Sequence, residues 1–196
     1  IVSFGGQEIE LLYMFSNLQD KTYDLTEIED IAAYRQSMEY LPLGGYKTWL
    51  APQSKWDWPP YLDLAIGSYQ VDWRETASEA LVSVVSPICR ESGMQLSRTI
   101  KLSADSNQVK IEQKMKNCGA ENQKYGLWDV TQIQGTGWVI LPLQNKSQLQ
   151  NLKEAAADQF INYQRVDDQL YVVIDCLGQA EFKVGTSFSA GWILSV

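Results

Sequence analysis

The chain has 196 residues, 45% of them hydrophobic, and its 16 Lys and Arg against 24 Asp and Glu give a net charge of −8 at pH 7. That charge repels nucleic-acid phosphates and anionic membrane surfaces, so a carbohydrate or other small neutral ligand is the expected partner. There is no histidine, which excludes a Ser-His-Asp triad, a Cys-His pair and a His-ligated zinc, and leaves acid–base chemistry to Asp, Glu, Lys, Tyr or Cys.

The length suits one domain spanning residues 1–196. Cys89, Cys118 and Cys176 are far apart and form no CxxC pair, so reduced thiols are expected rather than a disulfide framework, and no metal or cofactor site is read from the sequence. Reduced thiols favour a cytoplasmic protein. The first residue is Ile1, which fits a segment of a longer gene product or a processed chain, so a secreted or periplasmic protein stays open as the alternative. No apolar run approaches the roughly 18 residues of a transmembrane helix.

In chain order, the first predicted element is a helix over residues 26–40. Thr26 and Glu29 have capping-box spacing, and Ile28, Ile31, Ala32 and Met38 recur at roughly helical intervals. Asp20, Asp24, Glu27 and Asp30 match no EF-hand spacing and are read as a solvated face. Next comes GGYKTWLAPQSKWDWPP (44–60), with three of the seven tryptophans, Trp49, Trp56 and Trp58, on a segment stiffened by Gly and Pro. A half-covered indole on a rigid loop offers a flat apolar face and a rim N–H, the surface a sugar ring requires. The competing reading is a loop that plugs its tryptophans into the core.

From about residue 68 the apolar pattern alternates as in half-buried strands, at 80–85, 95–102, 108–115, 125–134, 138–141, 169–174, 180–184 and 191–196. Asp105-Ser106-Asn107, Asn117-Cys118-Gly119 and Asp167-Asp168 are the turn-formers between runs. A second helix is predicted over 147–158. Many short strands with one or two short helices predict an all-β antiparallel sandwich or barrel. Arg98 shares the phase of Leu96, Ile100 and Leu102, so its guanidinium must be ion-paired or line a cavity. Trp128, Val130 and Gln132 share one strand face, an aromatic beside an amide, whereas Lys183 on a strand is by itself a weak signal.

GGYKTWLAPQSKWDWPP, then SRTIKL, QVKIEQKMKN, YGLWDVTQIQGTGWVILPL and FKVGTSFSAGW, resemble in order the galactose mutarotase-like superfamily, most closely its bacterial branch of domains of unknown function. The resemblance covers most of 41–192. It implies a β-supersandwich of two large antiparallel sheets with a ligand groove, in which Lys47 and Trp49 fall at the mouth, Arg98 and Trp128 on the floor and Lys183 on the wall. Mutarotases open the sugar ring with a histidine acid and a glutamate base. Here Trp128 stands where the strand presents that histidine, and the strands that follow a G-W pattern like Gly191-Trp192, one of them carrying the glutamate, are not in the sequence. Three functions follow as expectations: a sugar-binding protein without ordinary mutarotase activity, a carbohydrate enzyme working through carboxylate, Lys or Tyr groups, or a protein-interaction domain whose aromatic segment is a hot spot.

Overall fold

A computed structural model describes residues 5–6, 9–10, 12–13, 22–40, 43–133, 137–151, 160–176, 184–186 and 192–195. The chain is all-β, built of antiparallel sheets, with two short α-helices among the described residues. Two compact units divide it, residues 1–133 and 134–196.

In the first unit, β1 (Gly5–Gly6) and β2 (Ile9–Glu10) form a small ladder, and α1 spans Ile31–Ser37. The helix starts later than the capping-box spacing predicts. Asp30 is the N-cap, its carboxylate accepting from Ala33 N at 2.9 Å, while Thr26 donates its backbone N–H to Asp24 Oδ1 instead. Ile31 and Arg35, one turn apart, are the face α1 buries. Next come β3 (Tyr46–Ala51), α2 (Leu62–Ala65), β4 (Gln70–Glu75), β5 (Glu79–Val85), β6 (Met94–Ser103), β7 (Val109–Asn117) and β8 (Gly126–Thr131). Strands β4–β5–β6–β7 form a four-stranded meander, and β3 pairs with β8.

The first half of 44–60 is therefore a strand, not a loop. Period-2 reading missed β3 because it is covered on both sides: Thr48 and Leu50 are buried, while Trp49 on the other side packs against aromatic rings. Gly44 and Gly45 (φ 90° and 67°) turn the chain into β3 in the left-handed region, where a Cβ would be strained. Two cores hold the unit. One joins Leu50, Trp56, Tyr61, Leu64, Cys89, Met94 and Leu96, and the other joins Leu25, Ile31, Tyr40 and Leu62.

In the second unit, β9 (Trp138–Leu143) lies between β12 (Gln169–Asp175) and β14 (Leu194–Ser195), and β11 (Ile161–Val166) pairs with β12 through a two-residue turn with Asp167 at φ 52°. Leu170, Val172 and Ile174 alternate inward against Leu141 and Leu143. Two short strands, β10 (Leu149–Asn151) and β13 (Val184–Thr186), form their own ladder. The helix predicted over 147–158 is contradicted at 149–151, whose extended backbone pairs with 184–186; residues 152–158 lie outside the described residues.

Candidate ligand-binding site

The β3–β8 ladder sets Trp49 directly opposite Trp128 and Lys47 opposite Val130. Directly paired residues share a face, so the two indoles meet edge-to-face at 5.4 Å. Trp56 and Trp58 arrive from the segment after β3 and add edge contacts to Trp49 at 6.1 and 5.7 Å. Four of the residues singled out in the sequence thus form one cluster, with unequal exposure. Trp56 is buried at 5% and donates its indole N–H to Leu50 O at 2.8 Å, so it is a core side chain with no free polar edge. Trp58 is 48% exposed and rests edge-on against Tyr40 at 5.4 Å. Trp49 and Trp128 are half-buried, and Trp49 Nε1 is buried with no hydrogen-bond partner among the described residues. Such an indole N–H is destabilising by about 1–3 kcal/mol unless something accepts from it.

Lys47 lies on the same side. Its ammonium donates to Gln132 Oε1 at 2.9 Å and stands 5.4 Å from the Trp49 ring centroid. Burial pushes its pKa down from 10.5 to about 8. On the opposite face Thr48 donates to Gln113 Oε1, and Gln113 donates to the Tyr46 hydroxyl at 2.8 Å and to Asp129 Oδ1. This polar network engages Asp129 and ties β7 to the β3–β8 ladder.

A pocket of about 300 Å³ opens beside β3. It is lined by Gly44, Tyr46, Lys47 and Thr48 at the strand, by Leu64 to Gly67 and Tyr69 after α2, and by Tyr40, Leu43 and Arg98. Arg98 lies over the Tyr69 ring, 5.3 Å from its centroid, and its Nε is buried without a hydrogen-bond partner among the described residues. Tyr69 donates to Leu64 O at 2.7 Å and keeps its proton because burial raises its pKa, an effect Arg98 partly opposes. Burial raises the Tyr40 pKa to about 12. Gly67 closes the wall tightly, since a Cβ there would stand 2.3 Å from Asp63 O.

Two arginine clamps, neither foreseen from the sequence, hold the surrounding segments. Arg35 on α1 donates to both Glu91 oxygens, at 2.9 to 3.1 Å, and to Pro59 O at 2.6 Å, which fixes the stretch carrying Trp58. Arg90 donates to Asp63 on α2 at 2.7 Å and to Ile28 O at 2.7 Å. Both depend on contacts between segments far apart in the chain, which no local spacing announces.

The structure therefore gathers Lys47 and Arg98 at one pocket, and Lys47, Trp49, Trp56, Trp58, Trp128 and Gln132 in one cluster. Tyr40 joins the two, lining the pocket while packing on Trp58. Tyr40, Tyr46, Thr48 and Tyr69 went unremarked in the sequence; a Tyr or Thr on a strand or turn is too common to stand out. Lys183 lies outside the described residues. Of the acidic stretch, Asp24 and Asp30 are occupied by Thr26 and Ala33, and Asp20 lies outside the described residues. The three cysteines are free, and among the described residues no helix is long and apolar enough to cross a membrane. No family model, curated protein or solved structure matches the chain.

Proposed function

We propose that the first unit binds carbohydrate, with one monosaccharide-sized ring taken up between Trp58 and the pocket, and that the chain is a mutarotase-like protein without ordinary mutarotase activity. The observation that carries this reading is the continuity through Tyr40. A half-exposed indole, braced by Tyr40 and Trp49, lies one ring away from a pocket whose lining sets tyrosine rings and hydroxyls beside apolar carbons. An apolar ring face beside a polar rim suits a sugar, and about 300 Å³ is at the lower end of small-ligand pockets. The test is calorimetric titration of monosaccharides against the wild type and Trp58→Ala. Binding that is lost in the variant while its melting curve is retained supports the reading, and a wild type that binds no sugar sinks it.

Lys47 supports a second assignment, to an enzyme. An amine with a pKa near 8, held by Gln132, can exchange protons close to neutral pH. Ring opening, however, needs an acid and a base acting together, and among the described residues no carboxylate lines the pocket. Polarimetry of freshly dissolved α-galactose or α-glucose is therefore expected to give the buffer rate of mutarotation. An acceleration that scales with protein concentration and is lost in Lys47→Met would move the assignment to the enzyme.

A further inference from the structure

We propose that the pocket is selective for an anionic monosaccharide, a uronate or a sugar phosphate, whose charged group docks on Arg98. This rests on the carbohydrate reading and adds the ligand's charge to it.

The first support is how this unit treats its other arginines. Arg35 and Arg90 each hold a carboxylate, Glu91 and Asp63, with multiple hydrogen bonds, and the exposed Arg74 reaches Glu79. Arg98 is different. Among the described residues it has no ion pair; it rests on the Tyr69 ring and lines a cavity. The guanidinium also reaches the Tyr69 hydroxyl, but its buried Nε is a charged donor with no acceptor among the described residues, which is destabilising unless something accepts from it and leaves that edge of its planar fork of donors open. A carboxylate or phosphate matches that fork with two parallel charge-assisted hydrogen bonds.

The second support is the sign of the lining. Among the described residues the pocket lining holds Arg98 and no Asp or Glu, and it includes Lys47, whose ammonium is turned to Gln132 and the Trp49 ring. The neighbouring carboxylate, Asp129, already accepts from Gln113 and is hydrogen-bonded by the Tyr46 hydroxyl. In a chain of net charge −8, a pocket whose described lining carries Arg98 and no acid is a local reversal of the molecule's charge. It turns the neutral-ligand expectation, drawn from overall charge, into an anionic one at this position. The rest of the lining, from Leu43 and Leu64 to the tyrosine rings, fits the uncharged body of a sugar rather than a bare ion.

The experiment is a calorimetric comparison of galactose, galacturonate, galactose 6-phosphate, acetate and inorganic phosphate on the wild type, repeated on Arg98→Gln and Arg98→Lys. A charge-assisted contact predicts that one acidic sugar binds about tenfold or more tighter than galactose. That preference should vanish in Arg98→Gln and be partly kept in Arg98→Lys, which retains the charge without the fork. Whichever acidic sugar wins identifies the carboxylate or phosphate source. Galactose binding as tightly as both acidic sugars overturns the anionic inference and leaves the carbohydrate reading standing. Acetate or phosphate alone binding as tightly as its sugar counterpart keeps an anion site and overturns the carbohydrate reading. No binding by any of the five overturns both. The wild-type comparison is decisive even if the Arg98 variants fail to fold.

Discussion

At the scale of single residues, Trp56 and Trp58 are two positions apart and have opposite fates. Trp56 fills the core and spends its N–H on Leu50 O, so Trp56→Ala should lower stability by about 3–5 kcal/mol in chemical denaturation. Trp58, half in solvent, should lose far less on the same change, and equal losses would mean that Trp58 is a second plug. Lys47 gives a pH signature. Its folded pKa of about 8 lies below the ordinary 10.5, so between those values the unfolded chain binds more protons and stability rises with pH. The thiols of Cys89 and Cys176 and the hydroxyls of Tyr40 and Tyr69 carry raised pKa values and contribute with the opposite sign at alkaline pH. The difference between wild type and Lys47→Met cancels them. That difference should move in favour of the wild type from pH 8 to 10, and a flat difference would place the Lys47 ammonium in water.

At the scale of elements, the stretch carrying Trp58 is held from outside. Arg35 grips Glu91 and the carbonyls of Asp57 and Pro59, so Arg35→Met leaves Glu91 unpaired in a mostly buried position and should cost about 3–5 kcal/mol. Because the same change frees the backbone beneath Trp58, sugar affinity should fall with stability, whereas a loss of stability alone would detach the clamp from the site. The strands after residue 68 were legible where one side is polar: β7 alternates Val109, Ile111 and Met115 with Lys110, Glu112 and Lys114, and the structure keeps that phase. Strand β3 was illegible because covering both sides erases the alternation, and α2, only four residues long, is too short to show a helical period. Leu149–Asn151 reads as helix because Leu149 and Leu152, three apart, share one helical face, whereas in a strand they fall on opposite sides. Their pairing with 184–186 is a long-range choice that a local window does not contain. At the site, the sequence marked the tryptophans, Lys47 and Arg98 by residue type. It gave no sign of Tyr40 as the residue joining pocket and platform, because that role exists only when α1's end meets the segment after β3.

At the scale of the whole molecule, the chain carries a net charge of −8 while the described lining of the pocket holds Arg98 and no acid, and the two fields act over different ranges. In dilute salt, about 0.01 M, the Debye length is about 30 Å, so an approaching anion feels the full negative charge before it reaches Arg98. At about 0.15 M that length falls to about 8 Å, which removes most of the distant repulsion while contact with the guanidinium persists. Coulomb's law for −8 acting on −1 at ~20 Å in water gives roughly 1–2 kcal/mol before screening, so the association rate of galacturonate should rise about two- to fourfold between these salts. Galactose, without charge, should show no such change. Stopped-flow tryptophan fluorescence reads both rates, with Trp58 as the reporter beside the pocket. A galacturonate rate that falls as salt is added would show that the positive charge of the pocket governs the encounter from a distance, and that the acidic surface does not screen its own site.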